Sequence, residues 1–514
     1  MTTARGSPWP TYRLKHRVRL VTAGSLFDGH DASINIVRRL LQAGGAEIIH
    51  LGHNRSVAEI AKAALEEHAN GVCVSSYQGG HNEFFRYLVD VLRDAGASYV
   101  RVFGGGGGTI LPSEIAALEE YGVCRIYSPA DGQKMGFSGM INDVLEKSDF
   151  DILDTLDEKR LDVAALITLA EHHDGLPAPL RQAFRRRLDE ARKRPDRPLV
   201  VGVTGTGGAG KSSLIDELVC RVRLKFPDRK IGILCVDPSK KKTGGSLLAD
   251  RIRMNSLDEN VFLRSMATRE ARSEVPRAIE PALEVMKGAD FDLLILETAG
   301  IGQADSAITA FCDINVYVMT SEYGSLTQLE KIEMLDHADF VAINKFERRG
   351  SEDALRHVVK QVKRNRRLDP ALDDSEVMVF GTIASRFNDN GVTALFENLI
   401  ARIGAMDTAR SWDLGREPSR ERHSRAAESA LPPDRQLYLS EIARCVEGYR
   451  EEGRRGAEIV ADLFGINRAL KSLGARVPDT PHEPPAEEER DSEAVRELKT
   501  AYREAFERLG VEAR

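Results

Sequence analysis

Apolar and polar positions in the first third of the chain follow two alternating periods, one typical of buried strands and one typical of amphipathic helices. Apolar runs predict strands at 17–23, 46–51, 71–76, 99–104 and 124–128. Helical spacing predicts helices over 32–43, 57–68, 82–95 and 112–120, and a last one after 132. Strands that each precede a helix predict an α/β fold with a flavodoxin-like (βα)5 sheet over 17–147, after a loose polar arm at 1–16.

The same alternation returns between 198 and 405, where it begins with a buried strand at 199–203. The residues that follow, Gly205 to Ser212, have the spacing GxxxxGK[ST], and a helical pattern covers 214–224. Glycines in this position let backbone N–H groups converge on phosphate oxygens at a helix N-terminus. The predicted nucleotide-binding residues of this loop are Gly205, Gly207, Gly208, Ala209, Gly210, Lys211, Ser212 and Ser213.

Carboxylates follow two further strands of this second domain and predict a magnesium site. Asp237 ends the strand at 230–236, Glu297 ends the strand at 291–296, and Asp250 lies in a polar segment between them. Mg²⁺ prefers oxygen ligands, and the hydroxyl of the P-loop serine, Ser212, would complete the set. Lys211 would reach the β- and γ-phosphates.

The first sheet carries unusual residues at the carboxyl ends of its strands, where ligands of such sheets bind. His30 follows the first strand with Asp28 two residues before it, a pairing typical of a metal-ligating histidine held by a carboxylate. The third strand ends near Ser75 and Tyr77, and the fourth ends in five glycines at 104–108. Glycines here would let backbone lie flat against a large ligand.

Together these strand ends resemble the DxHxxG…SxL…GG signature of cobalamin-binding domains, over about 17–147. The resemblance implies that His30 is the lower cobalt ligand and that the other positions line the slot for the displaced nucleotide tail. Ser33 stands where the family has Gly, and Tyr77 stands where it often has Leu. The implied cofactor-binding residues are Asp28, His30, Ser33, Ser75, Tyr77, Gly104, Gly105 and Gly106.

The segment Asn344-Lys345-Phe346-Glu347 resembles the guanine-reading N-K-x-D motif of G proteins. Glu347 keeps the carboxylate acceptor but adds a methylene, so we expect GTP binding with looser discrimination against ATP. Ala384, after the strand at 377–380, resembles the remaining base-side loop.

The spacing of Asp237, Arg253 and Gln303 with their neighbours resembles the G-protein chaperones of acyl-CoA mutases. A cobalamin domain followed directly by such a G domain resembles the N-terminal half of the fused isobutyryl-CoA mutases. The resemblance implies adenosylcobalamin, GTP/GDP and Mg²⁺ as cofactors, with Arg253 at the nucleotide. It also implies GTP hydrolysis that gates cofactor loading, with Lys211 and Gln303 as catalytic candidates and 239–253 and 299–306 as switches.

The remaining segments are helical and charged. Residues 148–197 are interpreted as a helical linker and 406–514 as a helical adaptor. A mutase barrel needs about 250 residues, so we expect the barrel to be absent here and supplied by a partner or lost by truncation. A homodimer or a larger assembly is expected.

Composition narrows the partners. The net charge of -7 gives no electrostatic case for nucleic acid or an anionic membrane. The six cysteines are scattered without a CxxC pair, which favours reduced thiols and a cytoplasmic location.

Two other functions stay open at this point. In a metallochaperone GTPase, His30 would deliver a bare metal ion with help from His50, His53 or His81. In a non-hydrolysing cobalamin sensor, the P-loop would bind nucleotide without turnover.

Overall fold

The computed structural model describes residues 11–30, 32–238, 245–248, 250–268, 277–298, 305–323, 329, 332–424, 438–478 and 483–509. The chain divides into two units, Met1–Ser424 and Arg425–Arg514. Among the described residues, every helix is too short or too polar to cross a bilayer.

The strands of the first unit are, in chain order, β1 (Arg19–Ser25), β2 (Glu47–Arg55), β3 (Gly71–Ser75), β4 (Arg101–Gly105), β5 (Arg125–Tyr127), β6 (Leu199–Gly205), β7 (Ile231–Pro238), β8 (Ser246–Leu248), β9 (Val261–Thr268), β10 (Leu293–Glu297), β11 (Ile314–Thr320), β12 (Phe340–Asn344) and β13 (Val379–Thr382). Its helices are α1 (Ala32–Ala43), α2 (Val57–Glu66), α3 (His81–Asp94), α4 (Pro112–Tyr121), α5 (Pro129–Ser148), α6 (Val163–Glu171), α7 (Ala178–Arg192), α8 (Lys211–Lys225), α9 (Ile279–Gly288), α10 (Met334–His337), α11 (Ser351–Asn365) and α12 (Asn390–Met406).

The first sheet has the strand order β5-β4-β3-β1-β2-β8, and its described pairings are parallel. Its first five strands form the flavodoxin-like arrangement predicted from the sequence. The edge strand β8 was not predicted to belong here, because it comes from the P-loop half of the chain. The strands also start or end a few residues away from the apolar runs, as in β2, which continues into polar residues up to Arg55.

The second sheet has the order β13-β12-β11-β6-β10-β7-β9 and is also parallel. Strand β6 lies inside it, so that the P-loop leaves the middle of the carboxyl edge and enters α8. Buried apolar residues cover both faces of this sheet, with Val203 and Ile295 in one core cluster and Leu294 and Val341 in the other, as expected for parallel strands covered by helices.

Helices α6 and α7 lie in the stretch that the sequence interpretation treats as a linker. Their apolar side chains, among them Ile167 and Phe184, share a core cluster with Ile279 of α9. A Cβ at Gly288 of α9 would lie 2.3 Å from Cβ of Ala191 of α7, so α7 and α9 approach each other closely there. These helices therefore complete the core of the P-loop half.

The stretch after α12 also packs on the second sheet up to Ser424. Trp412 is buried, and its indole Nε1 donates to Asp407 Oδ2 at 2.9 Å. Ser424 Oγ donates to Asp389 Oδ2 at 2.8 Å. The P-loop half therefore extends beyond residue 405.

The second unit contains α13 (Tyr438–Ser472) and α14 (Glu493–Arg508). They pack through a small apolar cluster that includes Leu463, Tyr502 and Phe506. The C-terminal segment is helical, as its sequence pattern predicts.

Candidate functional site

The loop after β1 holds Asp28 and His30 in a fixed arrangement. Asp28 is buried, and its Oδ1 accepts from the backbone N–H of His30 and contacts His30 Nδ1, both at 2.9 Å. Its Oδ2 accepts from the backbone N–H of Tyr77 at 2.6 Å. The His30 side chain is 76% exposed, so Nε2 is available to a ligand while the carboxylate orients the ring.

Next to this loop is an apolar cavity of about 230 Å³. It is lined by the predicted cofactor-binding residues Ser33, Ser75, Tyr77, Gly104, Gly105 and Gly106, and also by side chains of α5 such as Phe137 and Met140. Ser75 Oγ is buried without a hydrogen-bond partner among the described residues. Such a group is costly unless a ligand satisfies it.

The glycine run contributes only backbone atoms to the wall of the cavity. A Cβ at Gly106 would lie 2.0 Å from the carbonyl oxygen of Ser76, so only glycine fits that approach. Tyr77 lies beside the run, and its hydroxyl is 3.0 Å from Ser33 Oγ. The cavity, the Ser75 hydroxyl without a partner among the described residues and the exposed His30 fit a large ligand that carries a metal.

The P-loop has backbone geometry suited to phosphate. Gly205 and Gly210 have φ of 145° and 93°, and a Cβ at Gly205 would lie 1.8 Å from the carbonyl oxygen of Val318. Lys211 Nζ donates to the carbonyl oxygens of Gly205 and Thr206 at 3.2 and 3.4 Å, across the loop. Gly207 and Gly208 are exposed at its tip, and Ala209 is buried under it.

Three of the predicted magnesium residues come together at the start of α8. Ser212 Oγ donates to Glu297 Oε1 at 2.8 Å and lies 3.3 Å from Asp250 Oδ1. Burial, and after it the charge of Asp250, raise the pKa of Glu297 to about 8. Two buried carboxylates that repel each other fit a divalent cation, which would remove the cost of ionising both.

The fourth magnesium candidate, Asp237, lies at the carboxyl end of β7 and is half-buried. Ser213 is half-buried in the first turn of α8.

The base side of the pocket is built around Asn344. Its Nδ2 donates to the carbonyl oxygen of Ala209 at 2.8 Å, and its Oδ1 accepts from the backbone N–H of Ala384 at 3.0 Å. Lys345 has a left-handed φ of 59°, and Glu347 is exposed. The structure therefore joins the P-loop and both base loops through one amide.

Two predicted residues stand apart from this group. Arg253 is exposed on the short 3-10 helix Asp250–Arg253. Gln303 lies outside the described residues, as do parts of both predicted switch segments.

Sequence reasoning missed the contribution of α5 to the cavity, and it placed Thr382 in the base-side loop without foreseeing its contact with Asn344. Phe137 and Met140 of α5 line the cavity, and Thr382 Oγ1 donates to Asn344 Oδ1 at 3.2 Å. The position of α5 after the last strand of a flavodoxin-like sheet was the available signal, because such a helix covers the same sheet edge.

The fold and the two sites define a P-loop nucleotide-binding protein joined to a domain of the cobalamin-binding type. The family model for the B12 binding domain matches residues 18–135. The model described as Methylmalonyl Co-A mutase-associated GTPase MeaB matches residues 163–430, more than half of the chain. The chain therefore belongs to the MeaB family of mutase-associated GTPases.

Curated relatives share both domains in the same order. The chain is 51% identical over 477 residues to a fused isobutyryl-CoA mutase from Geobacillus kaustophilus, which covers 90% of this chain and 43% of that protein. It is 50% identical over 447 residues to the fused isobutyryl-CoA mutase of Cupriavidus metallidurans, covering 84% of this chain and 40% of that protein. The chain thus spans less than half the length of these relatives.

A more distant relative matches a shorter stretch. The methylmalonic aciduria type A homolog of Caenorhabditis elegans is 30% identical over 195 residues, 36% of this chain and 49% of that protein.

Proposed function

We propose that this chain binds adenosylcobalamin through its first domain and hydrolyses GTP in its second, as the cofactor-handling part of an acyl-CoA mutase. The catalytic barrel would come from a partner subunit or from further sequence of the same protein, and an isomerisation of the isobutyryl-CoA/n-butyryl-CoA type is the reaction that it would serve. Hydrolysis would gate the loading of cofactor or the release of damaged cofactor.

The observation that carries the cobalamin proposal is the geometry of His30. Asp28 contacts Nδ1 and leaves Nε2 exposed beside a cavity whose buried Ser75 hydroxyl has no partner among the described residues. Held in this way, the imidazole keeps one orientation with its outer nitrogen directed away from Asp28, which is what a cobalt ligand requires. When bound, the cofactor supplies a cobalt–carbon bond that breaks homolytically.

In the nucleotide site, the residues present support charge stabilisation. Water attacks the γ-phosphorus of GTP, the bond to the β–γ bridging oxygen breaks, and GDP and phosphate leave. Lys211 would neutralise charge on the phosphates, while Ser212, Asp250 and Glu297, with Asp237 nearby, would hold Mg²⁺. Asn344 and Glu347 would read the guanine edge.

The decisive experiment for the first domain is a visible-absorption titration of the full chain with adenosylcobalamin. We compare wild type with His30→Ala and with His53→Ala, a matched control at an exposed histidine near the end of β2. We expect nitrogen-ligated cobalt in wild type and His53→Ala, and a base-off spectrum in His30→Ala. An absence of saturable binding in wild type would overturn the proposal and favour delivery of a bare metal ion.

Hydrolysis is tested by phosphate release from GTP and from ATP, with Lys211→Ala beside the exposed control Lys193→Ala. Turnover that prefers GTP and falls about 100-fold or more in Lys211→Ala supports the proposal, since charge stabilisation is the main contribution to phosphoryl transfer. Tight nucleotide binding without turnover in wild type would instead indicate a cobalamin sensor.

A further inference from the structure

Strand β8 links the two halves of the first unit. Ser246, Leu247 and Leu248 follow β7 in the P-loop half, yet they pair in parallel with Glu47, Ile48 and Ile49 of β2. A Cβ at Gly245 would lie 2.1 Å from the carbonyl oxygen of Gln42, so the entry to β8 is closely fitted to the end of α1. We call residues 245–248 and 250–254 the bridging segment.

Asp250, which lies two residues beyond the end of β8, enters the predicted magnesium pocket. Asp250 is buried, and its Oδ1 lies 3.3 Å from Ser212 Oγ, the hydroxyl that also contacts Glu297. The segment that extends the first sheet therefore also supplies a carboxylate to the nucleotide site.

The next residue, Arg251, points into the first domain. Its side chain is 3% exposed, Nε donates to Glu67 Oε1 at 3.0 Å, and Nη2 donates to Glu66 Oε2 at 2.6 Å. Glu67 is completely buried and also accepts from the backbone N–H of Ser265 at 3.1 Å. Removing one partner of a buried ion pair leaves an uncompensated buried charge and is strongly destabilising, so Arg251 is tied to the end of α2.

Ile252 then contacts the carboxyl end of β2. A Cβ at Gly52 would lie 3.0 Å from Ile252 Cδ1. Two residues further along β2, Asn54 Oδ1 accepts from the backbone N–H of Phe27 at 2.8 Å. Phe27 precedes Asp28 and has a left-handed φ of 65°, so this hydrogen bond stabilises a strained start of the His30 loop.

From these contacts we infer that Arg251 is a positioning residue that holds Asp250 at the magnesium pocket through Glu66 and Glu67, so that the nucleotide and His30 sites are energetically coupled through the bridging segment. The inference rests on the proposed function and names the element that regulates it. Asp250, Arg251 and Ile252 share one turn of 3-10 helix, so a shift of the Asp250 backbone towards a cation would move the other two. A cavity of about 310 Å³ beside Arg251 and Met254 leaves room for such a shift.

The test is a thermodynamic cycle on the full chain, with adenosylcobalamin, GDP and MgCl₂ as the probes. Cobalamin affinity is measured by visible absorption with and without Mg·GDP, and Mg·GDP affinity is measured by calorimetry with and without cobalamin. We expect the same factor from both directions in wild type, about fivefold or more, because coupling between sites is reciprocal.

Three variants separate positioning from folding. Arg251→Lys keeps the charge but loses the forked contact with both glutamates, and we expect its Mg²⁺ affinity in the GDP complex to fall about tenfold while GDP affinity without Mg²⁺ stays within about twofold. Ile252→Ala should lower the coupling factor towards one with less change in Mg²⁺ affinity. Ile36→Ala, at an exposed isoleucine of α1, is the matched control and should keep the wild-type factor.

The outcomes are distinct. A coupling factor of one in a wild type that binds both ligands would overturn the coupling. Arg251→Lys and Ile252→Ala variants that keep the wild-type factor would overturn its route through the bridging segment, and in both cases the proposed function stands. If wild type binds neither ligand, the proposed function itself fails.

Discussion

The two candidate sites lie at the carboxyl edges of two similar parallel sheets, but they are built in opposite ways. The first is an apolar slot with backbone glycines, one unpartnered hydroxyl and an exposed histidine. The second is a buried group of charged side chains in which Glu297 and Asp250 repel each other. The first site is prepared for its ligand by shape, whereas the second depends on a cation to relieve its electrostatic repulsion.

The largest effect should come from distorting the glycine wall of the slot. Gly106→Ala would place a Cβ 2.0 Å from the carbonyl oxygen of Ser76, and overpacking of this kind costs about 3 kcal/mol. We expect cobalamin affinity to fall about 100-fold with unchanged GDP affinity, measured by absorption titration and calorimetry. Gly108→Ala is the control, because a Cβ at Gly108 meets nothing within 4 Å. Equal cobalamin affinity in the two variants would contradict a shape-defined slot.

The second effect concerns charge. Glu297→Gln keeps the shape of the side chain but removes a carboxylate that can bind the cation, so Mg²⁺ affinity in the GDP complex should fall about 10- to 100-fold. The melting temperature of the metal-free protein at neutral pH should change little, because a pKa of about 8 keeps Glu297 mainly protonated there. Glu280→Gln, at an exposed position of α9, serves as the control. A lower melting temperature together with unchanged Mg²⁺ affinity would refute the electrostatic description.

A third prediction concerns how the stability of the protein depends on pH through His68. Burial, and after it the charges of Arg264 and Arg19, lower the pKa of His68 to about 3, and its Nδ1 is 3.0 Å from Thr168 Oγ1. Because the folded pKa lies below the unfolded value of about 6.5, the stability from neutral His68 is fully present above that pH and falls as the pH drops towards 3.

We therefore expect His68 to account for about 2 kcal/mol of lost stability between pH 7.5 and pH 5. Urea unfolding followed by circular dichroism should show that this part of the loss disappears in His68→Gln. It should persist in His337→Gln, a control at an exposed histidine. Identical pH dependence in both variants would show that His68 is not the responsible group.

The smallest effect should come from Tyr77. Its hydroxyl is 3.0 Å from Ser33 Oγ, and both residues line the slot. A hydrogen bond contributes about 0.5–1.5 kcal/mol, so Tyr77→Phe should free the ring and tighten cobalamin binding about two- to tenfold. Tyr87→Phe, at an exposed tyrosine, is the control in the same absorption titration. Weaker binding in Tyr77→Phe would mean that the hydroxyl contacts the ligand instead.

The features that the sequence predicted well are local ones. The P-loop, the five N-terminal strands and the Asp28–His30 pair each occupy a short stretch whose residue types have one common structural use. The Asp28–His30 contact at 2.9 Å needs only two residues of spacing and a loop between them. Such features do not depend on how the rest of the chain is arranged.

Features that depend on distant partners were not predicted. Strand β8 has three residues, which is too short for an alternating pattern, and it joins the sheet of the other domain. Glu66 and Glu67 look like a solvated helix end in the sequence, yet they are buried against Arg251. Their burial depends on a residue about 185 positions away that only the tertiary structure brings close.

The sequence by itself determined the two sheets, their nucleotide and histidine loops and the residue types in each site, because hydrophobic periodicity and glycine geometry act over a few residues. Only the tertiary structure decided that the bridging segment crosses from one sheet to the other and that Arg251 meets Glu66 and Glu67. The physical reason is that buried charges are tolerated only beside opposite charges, and which charges meet is decided by packing across the whole first unit.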